Sequence, residues 1–525
     1  MKKRSIVKIL CIGMILSLTG CGGDNANNTS VEVETVQKVN SNAKPIKVVV
    51  SPSKMSKTNG GKFQGWGTSL CWWANRIGYS EALSDKAAEL FFGEDGLRFN
   101  IMRYNIGGGD DPTHNHITRT DSEVPGWLVL DEATGQYVYD YEADKNQLNV
   151  LKKAVKAAGE DAYVEVFSNS PPYFMTESGC SSGNEDASKN NLKEECYTDF
   201  AEYLANVSKY INDDLGIKVS SVSPMNEPNT DYWGANSPKQ EGCHVDPGEA
   251  QSKIIVETAK AFESVGLTDV EIVGSDETAP DKQVEAYNAY SDEAKAVIDR
   301  ISTHTYHTNG MASLGQLAKA KGFNLWMSEV DGNGVSGVAA GEMSSALWMA
   351  QKIISDINGL SPSAWVMWQV IDNHISEDGY NGKKDSGMVS VRSGFWGAAV
   401  ANHNNEVIIL TQKYYAIGQF TRYIRPGATI IHCNDDVLAA YDSENKELVI
   451  VAVNALAKDK YYSFDLSGFD SVGKTVTPIR TSKGVSGGES WAELEEEVVG
   501  EDGLNVTLKA NSITTFIVHD VELNK

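Results

Sequence analysis

Eight short strand-like runs, separated by helical stretches, are the feature that most constrains the fold of this chain. The runs lie at 63–70, 99–106, 163–169, 219–226, 271–276, 301–306, 324–330 and 364–370. Amphipathic helical patterns separate them, among others at 144–158, 197–214, 247–265 and 341–357. Strands that alternate with helices predict a parallel sheet, and eight such units are typical of a closed (β/α)₈ TIM barrel. We therefore predict an α/β fold with the barrel at 61–422.

The helix predicted at 247–265 has the best-marked ends. Asp246 is a candidate N-cap, Pro247 suits the first helical position, and Glu249 completes a capping box. Gly266 follows the last apolar residue of the pattern, which is where helices often end.

The pattern changes after residue 422. Strand-like segments separated by Gly, Asn and Asp turns predict an all-β domain at 423–525. A short β-type run near the N-terminus, within 45–60, can join its sheet. We predict a β-sandwich side domain built from both regions.

The N-terminus has the pattern of a secretion signal. Lys2, Lys3 and Arg4 precede an apolar run, and the sequence Leu-Thr-Gly-Cys that ends at Cys21 resembles a bacterial lipobox. This predicts a signal peptide at 1–20, a lipid on Cys21 and a flexible tether at 21–44. The protein would then lie outside the bacterial cell, on the cell surface, and meet the membrane only through the lipid. The alternative is an ordinary signal peptide with an incidental cysteine.

Charge and cysteine content exclude some partners. The formal net charge is −25 and no basic stripe is visible, which argues against nucleic acid as a partner. Five cysteines follow Cys21; Cys180 and Cys196 flank a polar loop and could pair, and the odd count leaves at least one thiol free. No pair has the CxxC spacing of a zinc site, so we predict no metal.

Two glutamates close strand-like runs of the predicted barrel. Glu227 follows Asn226 after the fourth run, and Glu329 lies in the seventh. Catalytic residues of such barrels lie at the carboxyl ends of strands, so both side chains are expected in one site. Paired carboxylates can divide the work of acid and nucleophile if their surroundings separate their pKa values. A single glutamate at a strand end would more often be a solvated loop residue.

The motifs around these glutamates resemble glycoside hydrolase family 30. They are the stretches FQGWGTSLCWWA at 63–74, RYNIGGG at 103–109, SNSPPY at 168–173, SPMNEP at 223–228 and HTY at 304–306. The first of them is most similar to the branch that cleaves β-1,6-linked galactans. The resemblance spans the barrel, and it also implies a sandwich built from both chain ends.

The resemblance implies a role for each glutamate. Glu227 would be the acid/base and Glu329 the nucleophile of a retaining glycosidase, with their carboxyl groups about 5–5.5 Å apart. Neighbouring groups should keep Glu227 protonated and Glu329 ionised. Arg103 and Tyr306 are expected to donate hydrogen bonds to Glu329, which would favour its charged form.

Other residues are expected to contact the sugar. Asn226 could bind the 2-hydroxyl, and Trp368 could form the floor beneath the cleaved sugar. Trp72 and Trp73 offer a further stacking surface, or one of them is part of the core. His304 is expected to donate hydrogen bonds in the pocket. Arg103, Asn105 and Tyr306 belong to the matching motifs, and the resemblance places them among the substrate-binding residues as well. Trp365 could face the helix layer instead.

The sequence therefore predicts a retaining glycoside hydrolase that acts without a cofactor, as a monomer. The favoured substrate is β-linked galactan, and in particular the β-1,6-galactan side chains of arabinogalactan. The resemblance to the galactanase branch favours endo cleavage, and exo cleavage is the open alternative. Another family 30 activity, as a β-1,6-glucanase, xylanase or β-glycosidase, is the alternative among enzymes. A surface lipoprotein that binds glycans without cleaving them is the alternative outside enzymes.

Overall fold

A computed structural model describes residues 44–110, 116–119, 121–122, 124–333, 342–379, 395–483 and 487–523. Cys21 and the predicted signal peptide lie outside these residues, as does the predicted tether except for its last residue. Within the described ranges no helix is both long and apolar enough to cross a membrane.

The first fourteen strands lie in the N-terminal four-fifths of the chain. They are β1 (Ile46–Val49), β2 (Gly65–Ser69), β3 (Ile101–Asn105), β4 (Leu128–Asp131), β5 (Gln136–Tyr139), β6 (Tyr163–Phe167), β7 (Val219–Ser223), β8 (Glu271–Glu277), β9 (Arg300–His304), β10 (Asn324–Glu329), β11 (Ala364–Met367), β12 (Ile371–Ile375), β13 (Ala399–Asn402) and β14 (Val407–Leu410). The α-helices are α1 (Trp73–Ile77), α2 (Glu81–Ala87), α3 (Lys145–Ala158), α4 (Tyr197–Lys209), α5 (Glu249–Ser264), α6 (Pro280–Ala289), α7 (Asp292–Val297), α8 (Met311–Lys321), α9 (Met343–Leu360) and α10 (Gln412–Thr421).

Eight parallel strands close into a barrel. Their order around it is β2, β3, β6, β7, β8, β9, β10 and β11, and β11 pairs with β2 to close the ring. Each of the eight predicted strand runs overlaps one of these strands, with β8 and β9 each extending one residue beyond the predicted run, so the predicted TIM barrel is confirmed. Helices follow the strands at the predicted places, and a π-helical turn at Tyr210–Asp214 extends α4 to the predicted end at 214.

The C-terminal strands form the predicted sandwich. They are β15 (Thr429–Asn434), β16 (Val437–Asp442), β17 (Glu447–Asn454), β18 (Lys460–Asp465), β19 (Thr475–Ser482), β20 (Glu489–Glu493), β21 (Glu497–Val498), β22 (Leu504–Leu508) and β23 (Ser512–Val518). One sheet has the order β15-β16-β17-β23-β19-β20, with β21 paired to β19, and the other has the order β1-β18-β22. The N-terminal strand β1 pairs in parallel with β18, so both ends of the chain contribute, as predicted.

The central strand β17 shows how the sandwich meets the barrel. Leu448, Ile450 and Ala452 pack between the two sheets of the sandwich. Val449 and Val451 point to the opposite face and belong to the large core that includes the barrel helices. Successive side chains of a strand face opposite sides, so a strand buried on both faces has an unbroken apolar sequence. This explains the run LVIVAV within β17.

Two elements of the fold are absent from the sequence prediction. A three-stranded sheet, β12-β13-β14, is inserted between the eighth barrel strand and α10, and a hairpin of β4 and β5 precedes α3.

The predicted N-cap at Asp246 is wrong, because α5 begins at Glu249 after Gly248, whose φ is +99°. Asp246 stays in the preceding loop, where its backbone N–H donates to Asn190 at 2.6 Å.

Candidate active site

Glu227 and Glu329 meet at the carboxyl ends of β7 and β10. Glu329 is the last residue of β10, and Glu227 follows β7 by four residues. Both side chains are largely buried. One carboxylate oxygen of each, together with a ring nitrogen of His304, lie within 4.8 Å of one another. The two carboxyl groups are therefore close enough to act on the same bond.

The backbone at Glu227 is held in an unusual conformation. Its φ is +48°, in the left-handed region that residues other than glycine rarely adopt. Its N–H donates to the Asp276 carbonyl at 2.8 Å, and its carbonyl accepts from the Thr230 hydroxyl at 2.8 Å and the Trp233 ring N–H at 3.1 Å. Local strain of this kind persists where surrounding bonds fix the backbone, and such residues concentrate in active sites.

Glu329 has both of the hydrogen-bond donors that the sequence predicted. Arg103 donates from Nη1 to Oε2 at 2.9 Å, and the Tyr306 hydroxyl donates to Oε1 at 2.9 Å. In addition, the ring nitrogen Nδ1 of His304 lies 3.5 Å from Oε1 of Glu329. These donors orient the carboxylate and stabilise its negative charge.

Glu227 also has a donor at each oxygen. His304 donates from Nδ1 to Oε1 at 2.9 Å, and the hydroxyl of Tyr232 donates to Oε2 through a short hydrogen bond. Burial would raise the pKa of Glu227, but the hydrogen bond and charge of His304 and the Tyr232 hydroxyl outweigh it, so the pKa lies below its ordinary value. Burial raises the pKa of Glu329, against the opposing charges of His304 and Arg103.

The surroundings thus lower the pKa of Glu227 and raise that of Glu329, whereas the sequence led us to expect shifts in the opposite directions. The sequence places Arg103 and Tyr306 beside Glu329 and His304 in the pocket, but it gives no sign that His304 and Tyr232 bond to Glu227. The side chain of His304 is wholly buried between carboxylates, and its charge acts on both glutamates. The roles of Glu227 as acid and Glu329 as nucleophile stay predictions.

A network of buried charges lies beneath the two glutamates. Arg103 pairs with Glu165 at 3.0 Å and with Asp276 at 2.6 Å, in addition to Glu329. Arg300 pairs with the other oxygen of Glu165 and lies 3.5 Å from the ring centre of Trp326. Arg103, Arg300, Glu165 and Asp276 have no solvent-exposed side-chain surface. The guanidinium of Arg103 thus connects β3, β6, β8 and β10 inside the barrel.

Replacing Arg103 with methionine should destabilise the fold strongly. It leaves the carboxylates of Glu165 and Asp276 buried without this cation, and breaking a buried ion pair typically costs about 3–5 kcal/mol. We expect that loss in the free energy of unfolding, measured by urea denaturation. The matched control is Lys86→Met, which removes a cation from an exposed pair with Glu89 and should change stability little. Equal stability losses in the two variants would contradict this account of the network.

An open cleft of about 540 Å³ lies above the carboxylates. The rings of Trp72 and Trp368 meet edge to face in its wall, with centres 5.0 Å apart. Arg119 lies 4.5 Å from the ring centre of Trp72 and pairs with Asp121 at 2.8 Å. The cleft is lined by aromatic and polar side chains, namely Trp72, Arg119, Asn226, Glu227, Tyr232, Trp233, Ser237, Lys239, Gln240, Thr278, Tyr306, His307, Glu329, Asp331, Trp368, Gln369, Asp372 and Trp396. Aromatic faces combined with polar groups suit a sugar, which has apolar C–H patches and many hydroxyls.

Four of the residues predicted to bind substrate lie on the cleft. They are Asn226, Tyr306, Trp72 and Trp368. The Oδ1 atom of Asn226 is buried and accepts no hydrogen bond from the described residues, so it has capacity for a sugar hydroxyl. Their contacts with a sugar stay predictions.

The other four residues predicted to bind substrate lie below the cleft, and Trp73 is the one of the two tryptophans that is part of the core. Trp73 lies in the core, where its ring N–H donates to the Ser69 carbonyl at 2.8 Å and its ring packs against Phe91. Asn105 is wholly buried and donates to Glu241 at 3.2 Å. Arg103 and His304 also have no exposed surface and can act on a substrate only through the carboxylates. Strand-end position did not distinguish side chains that reach the cleft from those one layer below it.

The alternatives left open for Trp365 and the cysteines are decided by packing. Trp365 faces the helix layer, since its ring N–H donates to Asp356 in α9 at 3.1 Å. Cys180 and Cys196 are not joined by a disulfide. The Sγ atom of Cys180 instead lies 3.6 Å from the side-chain oxygen of Asn236.

Several residues of the site were missed by the sequence analysis. Asp276 closes the fifth strand-like run, so the reasoning applied to Glu227 and Glu329 would have found it. Tyr232 and Trp233 form an aromatic pair soon after Glu227, which is a weaker signal. Arg119 and Asp372 lie in loops without a local pattern, and only the fold brings them to the cleft.

Glu227, His304 and Glu329 also have the ligand types and spacing of a metal site. Burial would lower the pKa of His304, but the charges of Glu329 and Asp276 and hydrogen bonds to Asp276 and Glu227 raise it well above its ordinary value. A doubly protonated imidazole has no lone pair to offer a metal. The three residues therefore fit a charged hydrogen-bond network better than a metal centre.

Comparison with known proteins agrees with this geometry. The model of O-glycosyl hydrolase family 30 matches residues 45–381, more than half of the chain. The chain belongs to glycosyl hydrolase family 30. As a family 30 glycoside hydrolase it acts on a carbohydrate.

Two characterised relatives of this family 30 chain are named for galactan cleavage. An endo-beta-1,6-galactanase of Hypocrea rufa is 28% identical over 492 residues, which cover 89% of this chain and 94% of the relative. An exo-beta-1,6-galactobiohydrolase of Bifidobacterium longum subsp. longum is 27% identical over 535 residues, covering 78% of this chain and 34% of the relative. The family 30 chain thus spans only about a third of that second protein.

A solved structure shares the fold of this family 30 chain. A conserved exported protein of Bacteroides fragilis superposes with a TM-score of 0.71 at 18% identity, covering 90% of this chain and all of that protein. At 18% identity the superposition shows a shared fold, namely the barrel and its β-sandwich.

Proposed function

We propose that this family 30 hydrolase cleaves β-1,6-linked galactan within the chain and retains the anomeric configuration. The observation that carries the proposal is the pair Glu227 and Glu329, whose nearest oxygens lie within 4.8 Å beneath an aromatic cleft. Retaining glycosidases have carboxyl groups about 5–5.5 Å apart, whereas inverting enzymes need about 6.5–9.5 Å to admit a water. The spacing therefore supports retention.

In the first step Glu329 acts as the nucleophile. Its carboxylate attacks the anomeric carbon, the glycosidic C–O bond breaks, and Glu227 transfers its proton to the leaving oxygen. Arg103 and Tyr306 hold Glu329 in place through hydrogen bonds of 2.9 Å each. The products are a glycosyl ester on Glu329 and a free sugar hydroxyl.

In the second step Glu227 acts as a base. Its carboxylate takes a proton from water, the resulting hydroxide oxygen bonds to the anomeric carbon, and the ester bond to Glu329 breaks. Two inversions at the same carbon give net retention. Glu227 ends the cycle protonated and Glu329 ends it ionised, so no further reactant is consumed.

The choice of galactan rests on the relatives. Both proteins reported above carry names that specify β-1,6-linked galactose, and the endo-acting one matches this chain over nearly its whole length. The cleft adds polar side chains beside the Trp72 and Trp368 rings, which could distinguish the axial 4-hydroxyl of galactose from the equatorial one of glucose.

One matched set of substrates tests the proposal. We expect release from β-1,6-linked galacto-oligosaccharides and at least about 100-fold lower kcat/KM on β-1,6-linked gluco-oligosaccharides, because a site built to hydrogen-bond one hydroxyl rejects its misplaced isomer. Endo action predicts products of mixed length by chromatography, and retention predicts that NMR detects the β-anomer first.

Other outcomes would contradict particular parts of the proposal. Release from only β-1,6-glucan or xylan would refute galactan specificity and leave the mechanism intact. An initial α-anomer would refute retention. Dimers released from one chain end as the sole product would replace endo with exo action.

A further inference from the structure

In the first step of the proposed reaction, Glu227 must carry a proton. Both of its oxygens, however, accept hydrogen bonds that favour the ionised form. His304 occupies Oε1 from the wholly buried side, and the Tyr232 hydroxyl occupies Oε2. Some change on substrate binding must therefore favour the protonated carboxyl.

Tyr232 is the solvent-accessible one of the two donors. It lies in the loop after β7, and 51% of it is exposed, whereas His304 is wholly buried. Its ring packs edge to face on Trp233, with centres 4.5 Å apart. Trp233 is buried and donates a hydrogen bond to the Glu227 carbonyl, so Tyr232 is the donor that a ligand in the cleft can reach and displace.

The leaving sugar has to reach the same oxygen. A general acid must lie within about 2.6–3.2 Å of the atom that it protonates. Since Oε1 faces His304 in the interior, the glycosidic oxygen can approach only Oε2. The leaving-group sugar then lies beside Tyr232, in the aglycone subsite. This step rests on the proposed roles of Glu227 and Glu329, and it holds for any β-glycoside.

We propose that Tyr232 couples occupation of the aglycone subsite to protonation of Glu227: the bound leaving-group sugar takes the place of the Tyr232 hydroxyl at Oε2, and the freed carboxyl takes up one proton from the solvent. The hydrogen bond from the Tyr232 hydroxyl to Glu227 is broken, and the hydroxyl also leaves its side-chain hydrogen bonds with Thr278 and Thr230. Tyr232 is a positioning residue that acts through Glu227. It keeps the acid ionised until a sugar is present to receive its proton.

Other charged groups also face Glu227 and remain in place when Tyr232 moves. Negative charges on Glu329, Asp276 and Glu277 favour the protonated carboxyl, and the positive charge of His304 opposes them. Tyr306 and Arg103 act on Glu329 and influence Glu227 only through it. The groups that surround Glu227 are thus His304 on β9, Glu329 on β10, Asp276 and Glu277 on β8, and Tyr232 and Tyr306 in the loops after β7 and β9.

The test is Tyr232→Phe, with the pH dependence of kcat/KM and of kcat measured on the same hydrolysed β-glycoside. The basic limb of kcat/KM reports the acid in the free enzyme, and that of kcat reports the acid in the complex. Loss of a hydroxyl that favours ionised Glu227 raises its pKa in the free enzyme, so the basic limb of kcat/KM should move about one to two pH units higher. The basic limb of kcat should stay in place, because the hydroxyl is already displaced in the complex.

Two further variants make the outcome specific. Tyr306→Phe removes a donor from Glu329 and should move the acidic limb while leaving the basic limb in place. Tyr232→Leu removes ring and hydroxyl, and should repeat the basic-limb shift with a higher KM. The proposal is overturned if Tyr232→Phe moves both basic limbs equally, since the hydroxyl then stays on Glu227 in the complex, or if it moves neither. Failure of the galactan proposal would appear separately, in the substrate comparison.

Discussion

Replacing Glu329 with alanine is expected to abolish hydrolysis, with kcat lower on the order of 10⁴- to 10⁶-fold, as for other essential nucleophiles. Without this carboxylate no glycosyl-enzyme can form, so the double displacement stops before its first step. The measurement is release of reducing sugar from β-1,6-galactan. Mass spectrometry of the wild type with a slow fluorinated glycoside should detect the glycosyl ester on Glu329.

Glu329→Gln and Glu241→Gln are the controls for this result. Glu329→Gln keeps the shape of the side chain and should be as inactive as the alanine variant. Burial raises the pKa of Glu241 to about 8, so this carboxyl is largely protonated at neutral pH. It accepts from Asn105 at one oxygen and from the Gly108 N–H at the other. Glu241→Gln loses one of these bonds and should lower stability, but it leaves Glu227 and Glu329 in place, so activity should stay far above that of either Glu329 variant. Sustained release by either Glu329 variant would refute its role as nucleophile.

Replacing Glu227 with alanine is expected to reduce activity much more on some substrates than on others. General acid catalysis typically contributes about 10²- to 10⁴-fold, and only substrates with a poor leaving group need it. We therefore expect a loss of that size on galactan and a much smaller loss of the first step on an aryl β-galactoside with an acidic phenol. Burst kinetics with the aryl substrate would separate formation of the glycosyl ester from its slower hydrolysis.

A small nucleophile provides the control for the second step. Azide needs no base and can occupy the space left by the Glu227 side chain, so it should accelerate turnover of the aryl glycoside by Glu227→Ala and yield a β-glycosyl azide. Azide should not accelerate the wild type. Equal losses on galactan and on the aryl glycoside would mean that Glu227 is not the general acid.

The parts of the fold that follow from local pattern could be predicted. The alternation of strand and helix gave all eight barrel strands, because each run carries its own periodicity and its own turn residues. Glu227 and Glu329 followed from the rule that strand ends meet at one face of the barrel. The inserted sheet β12-β13-β14 was missed, because its short strands lie where the pattern of the barrel leads one to expect a loop.

The electrostatics of the site could not be predicted in the same way. Arg103 joins Glu165, Asp276 and Glu329, which lie on three other strands. Of these strands only β6 pairs with β3, whereas β8 and β10 are three strands away around the ring. Their side chains reach Arg103 across the interior only because the ring closes. The order of the two pKa values depends on every charge around the pair, and the Tyr232 hydroxyl enters that sum from a loop whose path the sequence pattern does not specify.

The sequence by itself determined the barrel, the sandwich formed from both chain ends, and the meeting of Glu227 and Glu329 at one face of the barrel. These depend on periodicity, strand propensity and position within a run, which are properties of short segments. Tertiary structure alone decided that Trp73 and Asn105 are buried and that His304 lies between carboxylates. It also decided that the Tyr232 hydroxyl donates a hydrogen bond to Glu227. Burial, hydrogen bonding and charge at a site are sums over residues far apart in the chain, so they exist only once the fold has brought those residues together.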